Sequence, residues 1–509
     1  MRSPRLSLAI LCATPLFAVN DPVRTANGLV SGIPGRDPSV HVYKGIPYAA
    51  PPVGPLRWKA PKPAAAWDGV HKADAFSAIC VQTPYPKNSI YYSEPEPVSE
   101  DCLYLNVWTA AKSATERRPV MVWIHGGALT RGSGDTPTYD GENFAKKGVV
   151  LVTINYRLNI FGFFAHPELT KESDRNSSGN YGILDQIAAL EWVQKNIAAF
   201  GGDPRRVTIF GESAGSWSVN YLMATPLAKG LFQRVIGESG AAFGPMKKLR
   251  EVEESGAKFA ASVKADTIAD LRAKSSGELL SAGGMAGFPP NVDGWMLPQD
   301  VYSTFAAGKQ NDVPLLAGSN ADEGRSLTAW PAGGTAESFK EQTRRRFGAD
   351  ADKILAVYPA GSDEQAKDSF FASFRDITFT WQMRTWSRLQ TKTGKSKVFL
   401  YYFSRIPPGP ESDRYRAYHA SEIAYAFNNL GGTRPWEEAD RKLAGVMSSY
   451  WVNFAAAGDP NGKGLPKWPS YNQASDQSIE LGDRVRTNSN LHKPALDVLD
   501  EYFARLRNP

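Results

Sequence analysis

Runs of consecutive, largely β-branched apolar residues recur along the chain at 119–124, 149–155, 207–210, 235–237, 313–318 and 398–403. They lack the polar and apolar alternation of a half-exposed strand, so each reads as a strand buried on both faces. Between them the hydrophobic period changes to that of a helix. The clearest case is 181–200, where Leu184, Ile187, Ala188, Leu190, Val193 and Ile197 recur at helical spacing and Gly201-Gly202 stops the helix. Strand, helix and strand then repeat, which predicts an α/β protein with a central, mostly parallel sheet covered by helices on both faces. Two mostly helical, polar stretches, at about 244–311 and 326–395, are expected to be insertions above that sheet. The Pro-rich segment 48–63 reads as loop. With no internal repeat and no low-complexity linker, residues 20–509 are expected to form a single unit.

One long apolar stretch, 6–19, stands behind Arg2 and Arg5. It is too short to span a bilayer, and a basic start followed by a short apolar run predicts a signal peptide over 1–19. The chain is therefore expected to be exported, periplasmic or secreted. Its 509 residues are 42% hydrophobic and 22% charged, enough to bury a large core and unlike a disordered chain. The formal charge of +6 is spread and mixed in sign, with Arg344 to Arg346 the densest local run. A solvated helix face accounts for that run, and no stripe suited to a phosphate backbone emerges. Of three cysteines, Cys12 falls in the leader, where Ile10 and Leu11 are too bulky for a lipoprotein signal. Cys80 and Cys102 remain, and in an exported chain without CxxC or clustered histidines they read as a disulfide rather than a metal site.

The most informative stretch is 206–215, where a short strand runs into Gly211-Glu212-Ser213-Ala214-Gly215 and then a helix. This is a nucleophile elbow: the turn strains the serine backbone, and small residues two positions to either side give the room it needs. The pentapeptide alone is a modest signal in a chain with 45 glycines. The strand before it and the helix after it make it specific. A serine hydroxyl needs a base within hydrogen-bond reach and an acid to orient that base. The chain has six histidines, His41, His71, His125, His166, His419 and His492, and this architecture places the base after the serine. His492 opens a C-terminal amphipathic stretch and reads as a surface residue. His419 follows the strand 398–403 in a loop, where catalytic groups belong. The acid should end a strand between the two, and 313–318 leads into Asp322 and Glu323, between which the residues alone do not decide. An oxyanion hole of backbone N–H groups is expected from His125-Gly126-Gly127-Ala128 and from Ala214 beside the nucleophile. His125 itself reads as structural.

With these residues in place, the sequence resembles the type-B carboxylesterases, the family of bacterial carboxylesterases and cholinesterases within the α/β hydrolases. The resemblance spans almost all of the mature chain. It is carried by Gly45-Ile46-Pro47-Tyr48-Ala49, Pro55-Leu56-Arg57-Trp58, the segment 100–107 beginning Glu100-Asp101-Cys102, Asn155-Tyr156-Arg157, Gly179-Asn180-Tyr181-Gly182 and the segment 210–215. It implies an α/β-hydrolase fold with helical insertions over the site, a Cys80–Cys102 pair, and Glu323 rather than Asp322 as the acid. It implies further that Gly127, Ala128 and Ala214 donate to the oxyanion, and that Glu212, Ser239 and Glu422 form a buried polar network beside the triad. Two departures stand out. Ala128 and Leu129 replace the glycine and phenylalanine of most relatives, which bears on the width of the acyl pocket. Arg325 stands where many relatives carry a small or apolar residue, and Asn320-Ala321-Asp322-Glu323-Gly324-Arg325 resembles the bacterial fumonisin esterases within the family, which release tricarballylate. An arginine there could pair with a substrate carboxylate, with Arg131 as a second candidate, although each also suits a structural ion pair.

The expectation is a serine carboxylesterase that works by an acyl-enzyme, with Ser213 as nucleophile, His419 as base and Glu323 as its orienting acid, and with no metal or cofactor. Trp217, Trp330 and Phe288 are candidates for an aromatic gorge, or for simple core packing. The expected partner is a small-molecule ester, with no nucleic acid and no membrane span; monomer and dimer are both compatible with the sequence. A general short-chain carboxylesterase is the alternative to a polycarboxylate esterase. A lipase or amidase would use the same triad. A non-catalytic binding module of this fold would lack the serine that stands here at Ser213.

Overall fold

The structure is a computed structural model that describes residues 21–94, 96–283 and 288–507; the expected signal peptide lies outside them. Eleven strands form one sheet: β1 (Ile33–Pro34), β2 (His41–Pro47), β3 (Tyr104–Thr109), β4 (Arg118–Ile124), β5 (Val150–Ile154), β6 (Gly202–Glu212), β7 (Arg234–Glu238), β8 (Leu315–Asn320), β9 (Val398–Phe403), β10 (Gln477–Leu481) and β11 (Val485–Ser489). Their order is β11-β10-β9-β8-β7-β6-β4-β5-β3-β2-β1. From β5 across to β10 every pairing is parallel, whereas β1, β2, β3 and β11 join antiparallel at the two edges. The sheet is thus mixed, and its parallel centre is the part that apolar runs make visible. The edge strands escape that reading because polar residues interrupt them. In β3, buried Asn106 accepts from Gly45 N–H at 2.9 Å and donates to Thr153 Oγ1 at 3.0 Å, which ties the central strands to a bulge in β2.

Alternate residues of the central strands enter two separate cores. Val120, Val122, Ile124 and Ile209 pack with Leu190 and Val193 of α1 (Tyr181–Asn196) and with Val219 and Leu222 of α2 (Ala214–Ala224). Trp386 of α3 (Trp381–Thr393) closes the same face, its ring so near Gly237 that a Cβ there would stand 2.5 Å from it. Met121, Trp123, Phe210, Ile236, Leu316 and Phe399 face the other way, onto Met447, Trp451 and Phe454 of α4 (Glu438–Ala457). Removing one of these large buried side chains should cost about 3–5 kcal/mol. The helix predicted over 181–200 is α1 followed by a 3-10 turn, Ile197–Phe200, and the left-handed Gly201 (φ 83°) ends it.

Register decides where chemistry can sit. Gly211 pairs with Ile124 and with Gly237, Gly237 with Ala317, and Ala317 with Leu400. The carboxyl ends of β4, β6, β7, β8 and β9 are therefore level, and the loops leaving them share one edge, the usual place for a ligand in an open parallel sheet. The stretch 244–311 carries the helices Leu249–Ser262, Ile268–Ala273, Ser276–Gly283 and Val301–Ala306, and 326–395 carries Ala336–Phe347, Ala351–Val357, Asp363–Arg375 and α3. Among the described residues no helix is long and apolar enough to cross a membrane.

Candidate active site

β6 ends at Glu212 and α2 begins at Ala214, so Ser213 is the whole turn between them. Its backbone is left-handed, φ 58° and ψ −120°, a conformation that costs a non-glycine residue on the order of 1–3 kcal/mol. The surroundings hold it there: Ser213 N–H donates to the carbonyl oxygen of Glu238 in β7 at 2.8 Å. A Cβ at Gly211 would stand 2.5 Å from the carbonyl oxygen of Ile124, and one at Gly215 would overlap that same oxygen. Both glycines are needed because the elbow is pressed against the end of β4.

His419 arrives on the loop after β9, is 4% exposed, and packs its ring against Phe379 at 4.7 Å between centroids. Its Nδ1 lies 2.5 Å from Glu323 Oε2, and the other oxygen of that carboxylate accepts from Asn320 N–H at 2.8 Å. Such a bond fixes the ring and the tautomer, leaving Nε2 as the basic nitrogen. Asp322 points away. Its Oδ1 is 3.1 Å from Arg325 Nε and 3.2 Å from Arg416 Nε, and its Oδ2 accepts from Ala417 N–H at 3.3 Å. The two adjacent carboxylates, which the residues alone left undecided, thus separate by direction: Glu323 meets the imidazole and Asp322 meets two guanidinium groups.

Gly127, Ala128 and Leu129 are all left-handed, with φ of 100°, 57° and 59°, so this short stretch of backbone is curled rather than extended. Among the described residues the N–H groups of Gly127, Ala128 and Ala214 have no hydrogen-bond acceptor in the protein. Ala214 also opens α2, where the helix end favours negative charge. Glycine at 126 lets the loop reach the elbow, since a Cβ there would stand 2.7 Å from Glu212 O and 3.1 Å from Ser213 Cβ. Thr130 and Arg131 N–H donate to Gly127 O at 3.0 and 3.1 Å, and Asn159 N–H donates to Leu129 O at 2.7 Å. Gln82 bonds Gly132 both ways, at 2.8 and 2.7 Å, and sits two residues after Cys80, which forms the disulfide with Cys102. His125 is buried, stacks on Tyr156 at 4.4 Å and places Nδ1 2.9 Å from Gly126 O. Burial pushes its pKa down to about 4, so it is neutral and serves the backbone around it.

Around His419 and Ser213 lie more acids than the sequence reading singled out. Glu212 Oε1 is 3.1 Å from His419 Nε2, without the alignment of a hydrogen bond. Glu422 accepts from Asn320 Nδ2, and Glu238 accepts from Trp451 Nε1 at 2.9 Å. Ser239 is left-handed at φ 54°, with its N–H on Gly318 O at 2.8 Å. Burial, and then the charges of Glu422, Glu323 and Glu238, holds the Glu212 carboxyl well above the usual range. Burial, and then Glu238 and Glu323, does the same to Glu422. Burial brings Glu238 up to about 8 in spite of the Trp451 bond. Glu238 was not among the expected residues. Its signal is register, because it pairs directly with Glu212 in the neighbouring strand. Tyr91, Ser326 and Gln82 were missed as well, Tyr91 and Gln82 reaching the site from loops and Ser326 from the short helix Gly324–Leu327.

The remaining expected residues fall around this centre. Arg325 is bound on two sides, its Nε to Asp322 and its Nη2 to Asp368 at 3.3 Å, with the guanidinium 5.0 Å over Phe371. Arg131 lies 4.6 Å over the ring of Tyr85. Trp217 N–H donates to Ser213 O at 2.9 Å, and its ring lies against Gly240. Leu129 is buried; Trp330 packs on Phe370 at 5.4 Å, and Phe288 on Phe164 at 5.1 Å. His492, expected at the surface, is instead half-buried behind β9, with Nε2 3.0 Å from the Tyr402 hydroxyl and Nδ1 3.4 Å from Arg375. The polar end of Tyr402 draws it inward, and burial lowers its pKa to about 4.

A family model described as the carboxylesterase family matches residues 20–499. The chain is 37% identical to the fumonisin B1 esterase of Sphingopyxis macrogoltabida over 504 residues, covering 94% of this chain and 90% of that protein. It is 35% identical to the para-nitrobenzyl esterase of Bacillus subtilis (strain 168), over 91% of this chain and 95% of that one. A solved structure of PNB esterase matches with a TM-score of 0.81 and 34% identity, covering 94% of this chain and 99% of that chain.

Proposed function

Because the chain belongs to the carboxylesterase family and is a carboxylic ester hydrolase, we propose that it is a serine esterase working through an acyl-enzyme. Ser213 Oγ attacks the ester carbonyl carbon, and its proton passes to His419 Nε2. The imidazolium so formed is balanced by Glu323 on Nδ1 and faced by Glu212 on the Nε2 side. The oxygen that turns negative is received by the N–H groups of Gly127, Ala128 and Ala214, each donor worth roughly 100- to 1000-fold in rate. When the tetrahedral intermediate collapses, the C–O bond to the alcohol breaks and the alcohol takes the proton from Nε2. Water then repeats the sequence on the acyl-serine, releasing the acid and restoring Ser213. The observation that carries this reading is the strained Ser213 in the turn between β6 and α2, with His419 fixed on Glu323 and its Nε2 3.1 Å from the carboxylate of Glu212, the residue before the serine.

The test is hydrolysis of a neutral short-acyl ester by the wild type and by Ser213→Ala. Loss of activity by at least about 1000-fold, together with a stoichiometric burst of alcohol from the wild type, is expected. Turnover that survives in Ser213→Ala would overturn the reading.

A second reading narrows the substrate to polycarboxylate esters, such as the tricarballylate esters of fumonisins. It is supported by the 37% identity to a fumonisin B1 esterase and by Arg131, which follows Ala128 by three residues and lies over the ring of Tyr85. Arg325 is a further candidate, and its guanidinium is paired with Asp322 and Asp368. Faster turnover of a polycarboxylate ester than of a neutral ester of the same alcohol, reversed in Arg131→Gln, is the expected result. A preference for the neutral ester leaves a general short-chain carboxylesterase. The Cys80–Cys102 disulfide supports an exported, periplasmic or secreted, location, because such bonds persist in oxidising compartments.

A further inference from the structure

Tyr91 belongs to the loop closed by the Cys80–Cys102 disulfide, and the ester chemistry above gives it no part. Its hydroxyl is 2.7 Å from Ser326 Oγ and 3.1 Å from the carbonyl oxygen of His419, while His419 N–H donates to the same Ser326 Oγ at 3.3 Å. Each hydroxyl has one proton to give. The contacts close a ring: His419 N–H donates to Ser326 Oγ, and the Tyr91 hydroxyl proton is shared between Ser326 Oγ and the His419 carbonyl oxygen. Both backbone polar groups of the base residue are then engaged. Burial holds the Tyr91 phenol well above the ordinary tyrosine range, so its proton stays in place at neutral pH.

The segment carrying His419 needs such a tie. Arg416 and Ala420, on either side of the base, are left-handed at φ 56° and 69°, and among non-glycine residues such backbone persists only where the surroundings hold it. Asp322 secures Ala417, its N–H donating to Ala417 O at 2.9 Å, and Asn320 Nδ2 donates to Tyr418 O at 2.9 Å. The next link is at His419, and it comes from a loop more than three hundred residues away in sequence. That loop is itself anchored: Ile79–Cys80 pairs with Val98–Ser99, and the disulfide ties its two ends together.

From these contacts we infer that Tyr91 and Ser326 are positioning residues for the general base, a hydroxyl ring that holds the His419 backbone so that the imidazole stays aligned with Glu323 and Ser213. The inference rests on reading Ser213, His419 and Glu323 as the triad. Ser326 follows Glu323 by three residues, so a single short turn aligns the acid and helps hold the base. The hydroxyl contacts run to one another and to the His419 backbone, so their effect should fall on kcat rather than KM.

The experiment uses Tyr91→Phe, which keeps the aromatic ring and removes only the hydroxyl, together with Ser326→Ala and the double variant. Each single change is expected to lower kcat on a neutral ester about 10-fold with KM within about twofold, since small misplacements of a catalytic group have effects of that size or more. The double variant should lose no more than the worse single one, because either change opens the same ring. Thermal midpoints near that of the wild type would separate positioning from unfolding. Unchanged kcat in both single variants, or losses that multiply in the double variant, would overturn the inference. Wild-type kcat in Tyr91→Phe with an inactive Ser213→Ala sinks this inference alone, whereas activity in Ser213→Ala sinks the triad it rests on.

Discussion

The acids beneath Ser213 and the acids at the rim beside it live under opposite rules. Glu212, Glu238, Glu323 and Glu422 are at most 3% exposed, and among the described residues the only basic group within ion-pair distance of any of them is His419. Asp322 and Asp368, by contrast, share Arg325, and Asp322 holds Arg416 too, all in partial contact with water. A buried carboxyl without a cation is driven towards its protonated form. That is the state of much of the floor, with Glu212 and Glu422 held well above the usual range. Among the described residues the one basic group beside these acids is the His419 imidazole, which in the proposed mechanism becomes positive as Ser213 attacks. On that proposal the floor is arranged for a charge that appears during reaction, whereas the rim is neutralised beforehand. Ion pairs of the rim kind are worth about 0–1 kcal/mol each.

Adjacent residues give the sharpest cut through this contrast. Glu323→Gln leaves the floor its shape but removes the charge that orients His419, and kcat should fall by roughly 1000- to 10 000-fold, as when the acid of a serine triad becomes an amide. Asp322→Asn removes a charge of the same kind one residue away, and kcat should stay within about threefold, because the group it faces is a guanidinium and not the imidazole. Steady-state kinetics on one neutral ester measures both. A crippled Asp322→Asn beside an active Glu323→Gln would reverse the assignment of the two carboxylates.

Glu238 tests the floor through stability. Its folded pKa of about 8 lies above the ordinary glutamate value, so between roughly pH 4.5 and 8 the folded chain binds more protons than the unfolded one. The favourable contribution of the protonated form is fully present below that window and is lost as pH rises through it. Glu238→Gln, which cannot ionise, should escape that loss. Its stability relative to the wild type should rise by on the order of 2–4 kcal/mol between pH 5 and pH 8, read by chemical denaturation at the two values. A difference that does not change with pH would mean that Glu238 ionises freely in the folded state.

How far the sequence could carry this follows from the range of each interaction. The run 398–403 coincides with β9, and the centre of the sheet is legible because buried parallel strands are apolar throughout. The antiparallel edges are not: β3 carries Asn106 inward, and β11, from Val485 to Ser489, is mostly polar. Ser213 is legible because an elbow is a local device, and His419 because few histidines follow the serine. The choice between Asp322 and Glu323 is not in the residues, since only side-chain direction separates them; the family resemblance supplied it. Glu238 enters through strand register, and Tyr91 and Gln82 through loops folded back over long distances, none of which leaves a periodic trace. His492 turned inward for a reason equally remote, the hydroxyl of Tyr402.

The smallest effect belongs to the rim. Arg325 and Asp368 meet at 3.3 Å with the Asp368 side chain 69% exposed, a geometry that water screens. A double-mutant cycle of Arg325→Gln and Asp368→Asn should give a coupling of at most about 1 kcal/mol in stability, shrinking further in 1 M salt. Turnover of a neutral ester should be unchanged within about twofold in each variant, because neither group reaches the imidazole. A coupling above about 2 kcal/mol, insensitive to salt, would place this pair among the dry interactions of the floor. The division between acids held for reaction and acids neutralised in advance would then fail at Arg325.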